Sequence, residues 1–152
     1  MNKTSFFALL LLSTACAPFS PSEGTWIVDS FEIVENACNL ETTDQTGESM
    51  LLTNTDDGFT MAYDDDESYV CTLSNQDFEC ETLTGGIGES DPDSEFSLDL
   101  AISGSFSSTA ELDIKSRVSL TCLIDDCSEY EEYFDATFPC ATESKIDMSL
   151  TE

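Results

Sequence analysis

Two residue types in this chain of 152 residues have the numbers and spacing to do chemistry: seven cysteines and 32 acidic residues. Thiols can be acylated, oxidised to disulfides or made to ligate a metal. Carboxylates can hold a hard cation, or work in pairs as acid and base. Histidine, the commonest catalytic base and transition-metal ligand, is absent. The serines and threonines therefore have no imidazole to activate them, and neither Lys115 nor Lys145 stands in a recognisable Ser–Lys motif. Four Lys+Arg against 32 Asp+Glu give a net charge of −28. That balance excludes a nucleic-acid binder, because almost nothing is available to neutralise a run of phosphates. An apolar content of 40 %, with ten Phe, four Tyr and one Trp, separates the chain from a disordered acidic tail, since it can bury a core.

The first cysteine, Cys16, ends a leader of distinct composition. Met1-Asn2-Lys3-Thr4-Ser5 carries one positive charge, Phe6 to Leu12 is an unbroken apolar run, and Ser13-Thr14-Ala15 supplies the small residues that a signal peptidase needs. Residues 1–15 read as a secretory signal peptide; a membrane span would need ~20 apolar residues. The stretch Leu12-Ser13-Thr14-Ala15-Cys16 resembles the lipobox of bacterial lipoproteins. That resemblance implies a diacylglyceryl group on the Cys16 thiol, cleavage before it, and acylation of the new amine. The family pattern has Leu three residues before the cysteine, whereas Ser13 stands there and Leu12 comes one place early. Cleavage after Ala15-Cys16-Ala17, an A-x-A-like site, is the alternative, and it would put Pro18 just after the cut. In Gram-negative lipoproteins the residue after the cysteine influences sorting. Ala17 is not the Asp that resembles an inner-membrane retention signal, so the resemblance implies a lipid-anchored outer-membrane protein. A soluble periplasmic or secreted protein is the other possible location.

Six cysteines remain: Cys38, Cys71, Cys80, Cys122, Cys127 and Cys140. An even number in an exported chain reads as up to three disulfides, while the spacings do not fit the paired CxxC of a zinc site. One pairing follows from the local pattern. Residues 68–74 and 77–83 flank Asn75-Gln76, a tight hairpin turn. With Ser74 facing Asp77, Cys71 falls opposite Cys80, and Tyr69, Cys71, Leu73, Phe78 and Cys80 share one face. The pairing of Cys38, Cys122, Cys127 and Cys140 stays open.

Acids cluster at three places: Asp64-Asp65-Asp66-Glu67, then Glu89, Asp91, Asp93 and Glu95, then Asp125-Asp126 with Glu129, Glu131, Glu132 and Asp135. Oxygen-rich loops are what Ca²⁺ requires. Asp91-Pro92-Asp93-Ser94-Glu95 nevertheless lacks the following glycine, and Ile102 stands where an EF-hand places its bidentate Glu. The acids read as solvated turns with diffuse cation association and no specific metal or cofactor site. Glycoside hydrolysis would need two acids across a cleft, which acids on turns do not announce. The chain is therefore not expected to be an enzyme.

The elements that carry these residues have a period of two. From Ala110 to Ile124 the even positions are apolar in seven cases of eight, and the odd positions are polar or charged in six of seven. A strand puts such rows on opposite faces and a helix cannot. Phe96 to Ser103 alternates in the same way, with Gly104 to Ser108 expected to turn one strand into the other. Trp26 to Glu35 reads as a strand. Residues 49–54 and 59–63 flank the turn Asp56-Asp57-Gly58, Thr84 to Ser94 reads as a loop, Ser128 to Phe134 as a helical turn, and Lys145 to Leu150 as a closing strand. Gly24-Thr25-Trp26 resembles the G-x-W of lipocalin-like barrels, which implies a barrel and, in that family, a ligand cavity. The fold class is all-β: one antiparallel small barrel or a sandwich of seven or eight strands, over residues 24–152, behind a lipidated tether of residues 16–23.

The expected protein is an exported, lipid-anchored envelope module that binds or displays and does not catalyse. A lipocalin-like carrier of a small apolar ligand and a Ca-binding acidic surface domain are the alternatives. Cleavage of the leader removes Lys3 and leaves Lys115, Arg117 and Lys145 against all 32 acids, a mature net charge of −29. Self-repulsion of this size opposes compaction, and at physiological salt it is screened over ~8 Å. The melting temperature should therefore rise with NaCl from low to physiological concentration, and millimolar Ca²⁺ should raise it further without saturating early. A melting temperature flat in both salts would mean that the acids are compensated within the fold.

Overall fold

Alternation of apolar and polar residues lets each strand send one row of side chains inward and the other to solvent. In the computed structural model, which describes residues 18–63, 67–86 and 95–151, this produces strands β1 (Gly24–Asn36), β2 (Ser49–Asn54), β3 (Gly58–Tyr63), β4 (Glu67–Ser74), β5 (Asp77–Cys80), β6 (Leu83–Gly86), β7 (Phe96–Ser108) and β8 (Glu111–Cys122), then helix α1 (Ser128–Phe134) and strand β9 (Cys140–Leu150). Apart from β6, every strand pairs antiparallel with its neighbours in the chain, and β9 returns to β1. Pairing of residues 77–79 with residues 103–105 joins β5 to β7. That contact closes the sheet into an eight-stranded barrel and decides against a sandwich. β6 pairs with the remainder of β7, residues 97–100, beyond the reach of β5.

Strand direction gives the barrel two unlike mouths. The turns at 55–57, 75–76 and 109–110, residues 18–23 and the last described residue gather at one, the turn mouth. α1 and the longer connections gather at the other, the helix mouth. β1, β7, β8 and β9 have 11 to 13 residues while β2 to β5 have four to eight, so the wall is taller on one side.

The turn half of the interior is filled by rings. Phe106 lies within 5.4–5.9 Å, centroid to centroid, of Phe19, Trp26, Phe59 and Phe78. Val28, Leu52, Met61, Leu112, Ile114 and Met148 complete the packing. A smaller cluster of Cys38, Leu120 and Cys140 with Leu98 and Phe138 lies toward the helix mouth. There Phe96 packs against Tyr130, Phe134 and Phe138, which seats α1 on the barrel.

The β4–β5 hairpin has Ser74 opposite Asp77 and Cys71 opposite Cys80, the register read from the core face. Asn75 supplies the left-handed turn residue at φ 60°, a conformation that Asn tolerates. Cys71 is bonded to Cys80, Cys122 to Cys127, and Cys38 to Cys140 across 102 residues. Three expectations are corrected. Gly104 to Ser108 is strand, and the β7–β8 turn comes at 109–110. Gly104 is needed for close packing and not for turning: a Cβ there would meet the Asp113 carbonyl oxygen at 2.1 Å and the Phe78 ring at 2.7 Å. The loop expected from Thr84 begins as β6, while residues 87–94 lie outside the described residues. The strand expected to run from Ala110 to Ile124 is shorter, β8 ending at Cys122 where its disulfide begins.

In the chain-entropy account, a cross-link stabilises according to the loop it closes in the unfolded chain. Replacing both Cys38 and Cys140 by Ala should lower stability by about 4–5 kcal/mol, against about 2–3 kcal/mol for Cys71 with Cys80. Urea melts of the two variants check the order, and equal losses would overturn it.

Candidate functional site

Of the residues singled out in the sequence, Cys16, Asp64, Asp65, Asp66, Glu89, Asp91 and Asp93 lie outside the described residues. Three of the acids described at the helix mouth, Asp126, Glu131 and Glu95, serve local structure. Asp126 accepts the backbone N–H of Ser128 at 3.1 Å, at the start of α1. Hydrogen bonds from the Ser128 side chain and then its backbone hold the Asp126 carboxyl below its ordinary range. Glu131 accepts the N–H of Phe138 at 3.2 Å, and the Tyr130 hydroxyl donates to Glu95. Among the described residues, no three cysteine or acidic side chains converge on a point where a metal ion would sit.

Outward-facing residues of β8 and β9 carry the charge of the wall. Their register sets Asp113 opposite Asp147, Lys115 opposite Lys145, and Arg117 opposite Glu143. The three Lys and Arg side chains of the described residues thus share one patch. Arg117 and Glu143 form the one ion pair among the described residues, and Lys115 and Lys145 have no such partner there. Like charges directly opposite on a ladder are unfavourable. The Asp113 carboxyl is accordingly pushed above its ordinary value, first by loss of solvent and then by the charge of Asp147. Asp147 in turn accepts a hydrogen bond from the Ser30 hydroxyl at 2.6 Å. A groove of about 750 Å³ runs from this wall across β7 and β5 to the edge of β4, past Asp147, Lys115, Ser103, Asp77 and Thr72. A second groove of about 360 Å³ shares Ser103, Lys115 and Lys145 with it.

The opposite wall is unlike it. Outward positions in residues 25–28 of β1 and along β2, β3 and β4 from Ser68 onward carry no charge, and Leu51 and Val70 there are 52 % and 45 % exposed. Among the described residues no charged side chain is buried. Half-buried Tyr63 has its phenol pushed up to about 12 by burial and then by Glu48, so it stays protonated and supplies no base. Inside the barrel, above the ring cluster, Ile33, Leu100, Ile102 and Val118 are only half-buried. The arrangement can attract ions or a partner at its outer wall; it presents no nucleophile with a base beside it among the described residues.

No protein family, no curated protein and no solved structure matches the chain. Alternation from Ala110 to Ile124 puts Lys115 and Arg117, both at odd positions, on one outer face, and it gives no sign of Lys145 beside them. The period-two pattern in β9 was a usable signal for that face, but only the β8–β9 register brings the two lysines together.

The raised Asp113 value fixes a sign. An acid that binds its proton more tightly in the fold adds stability as pH falls through the raised value, and that contribution is lost as pH rises. Asp113→Asn should be more stabilising at pH 7 than at pH 4, where the wild-type carboxyl is itself being protonated. Urea melts at both pH values check this, and an unchanged difference between variant and wild type would refute it.

Proposed function

We propose that the chain is an exported lipoprotein, acylated at Cys16 and held at the outer membrane, whose barrel is a non-catalytic binding or interaction module. The leader and the lipobox-like residues support the anchor. The observation that carries the non-catalytic reading is the ring cluster around Phe106, which fills the turn half of the barrel and leaves charged groups at the surface. A catalytic carboxylate needs a desolvated, shaped setting, and a surface charge in water does not have one. Recognition on this reading belongs to the outer wall and the helix mouth, where polar and charged residues are presented on a rigid frame. The partners implied are a membrane, reached through the N-terminal lipid, and cations gathered diffusely by the acids, with no nucleic acid.

A second reading, a carrier of a small apolar ligand, draws on the half-buried Ile33, Leu100, Ile102 and Val118. Binding of a hydrophobic dye, lost when Ile102 is replaced by Glu and kept when Leu51 is replaced, would favour that reading over the first.

The anchor is tested by the sulfur that carries it. Cys16→Ser should move the protein from the membrane fraction to the soluble envelope fraction, because several acyl chains give stable anchoring and none gives none. Mass spectrometry of the native N-terminus should find Cys16 first in the chain and carrying acyl groups. An unchanged membrane fraction in the variant, or a chain that begins at Pro18, would defeat the proposal.

A further inference from the structure

From Phe19 to Glu23, the segment expected to be a free tether is instead part of the barrel. Phe19 packs its ring 5.5 Å from that of Phe106, and Pro21 is buried. The Pro21 carbonyl accepts the Asn54 side-chain amide at 2.9 Å, at the end of β2. The Ser22 N–H donates to the Thr109 carbonyl at 2.9 Å, and the Ser22 carbonyl accepts the Trp26 indole N–H at 3.2 Å. The Glu23 carboxylate accepts the Asn54 N–H at 2.8 Å. From Phe19 onward, then, the arm is fastened across the turn mouth by packing and by hydrogen bonds to three separate elements. Only Ala17 and Pro18 separate Cys16 from the first fastened residue. A fully extended chain covers at most about 11 Å between residues 16 and 19, where an eight-residue free tether would allow about 27 Å.

From this geometry we infer that the turn mouth is the membrane-docking surface of the protein, its partner being a phospholipid surface, with the helix mouth turned away. The inference rests on acylation of Cys16. Charge supports the same orientation independently. The turn mouth carries five acids among the described residues, Glu23, Asp56, Asp57, Asp77 and Glu111, spread over four separate places in the chain. The helix mouth carries Asp125, Asp126, Glu129, Glu131, Glu132 and Asp135, which an anionic bilayer repels most when they are nearest to it. Turned outward, that mouth presents Tyr133, 81 % exposed, to whatever the protein meets.

The sole tryptophan, Trp26, lies two residues from the turn-mouth end of β1 and serves as a built-in reporter. The acylated mature chain, beginning at Cys16, is bound to vesicles of phosphatidylglycerol and phosphatidylcholine that carry a dansyl headgroup acceptor, and energy transfer from tryptophan is read. A chain with Trp26→Phe and Tyr133→Trp reports from the helix mouth, on the order of 30 Å farther along the barrel axis. Transfer from Trp26 should be several-fold stronger than from the reporter at 133. In the otherwise native chain, about ten Gly/Ser residues inserted between Pro18 and Phe19 should weaken transfer from Trp26, because a flexible linker frees the barrel from the surface. Flotation of the same vesicles separates the two ways of failing. A chain that does not float refutes the acyl anchor and the inference with it. A chain that floats but transfers equally from both positions, or more strongly from 133, or is indifferent to the inserted linker, refutes the docking orientation alone.

Discussion

Closure of the barrel depends on five aromatic rings that meet in its turn half. Trp26 comes from β1, Phe59 from β3, Phe78 from β5, Phe106 from β7 and Phe19 from the arm before β1. The backbone seam between β5 and β7 has three residue pairs, and β5 itself has four residues. So short a ladder holds little by itself, whereas each buried ring adds roughly 1.5–3 kcal/mol by removal from water. Phe78 works at the seam directly, its ring lying where any Cβ on Gly104 would stand. The same cluster draws in Phe19, so the packing that closes the wall also fastens the N-terminal arm over the mouth.

Electrostatics oppose that packing, and two of the three disulfides lie where the opposition is greatest. The helix mouth gathers acids from the connection between β8 and β9, yet its buried cluster has three residues, two of them the cysteines of one disulfide. Cys38–Cys140 ties the end of β1 to the start of β9, and Cys122–Cys127 closes the loop that leads into α1. Where apolar burial is thin and repulsion is strong, covalent constraint on the unfolded chain makes up part of the difference. The turn half has a large core and fewer acids, and its one disulfide lies within a hairpin whose register the core face already dictates.

The two walls follow from the same division. Positions with no interior role are free to vary, and here they divide into an uncharged wall on residues 25–28 of β1, on β2 and β3 and on β4 from Ser68 onward, and a charged wall on β8 and β9. Opposed pairs of like charge on β8 and β9 do not stabilise a ladder. They stand on the outer face of a barrel whose turn half is packed with rings, and on the reading proposed above recognition belongs to that outer face.

Much of this was legible locally. Alternation in residues 96–103 and 110–124 specified strands, because period two has one structural solution, and Cys71 with Cys80 followed from a hairpin whose turn and core face agree. The proposed export and acylation at Cys16 rest on linear sequence and need no fold. Other features required partners distant in the chain. Gly104 looks like a turn residue until Phe78 is laid across it, and Pro18 to Glu23 looks like a tether until Asn54, Thr109 and Phe106 are brought to it. Cys38 finds Cys140 over 102 residues only once β9 has returned to β1, and Lys115 meets Lys145 only in one register of two strands. The sequence by itself determined the class of structure, since alternation, turn residues and charge act over a few neighbours. The tertiary structure alone decided closure, two disulfides, the fastened arm and the opposed charges, since each depends on which strands meet and in what register, and a shift of one residue would turn every such side chain to the other face.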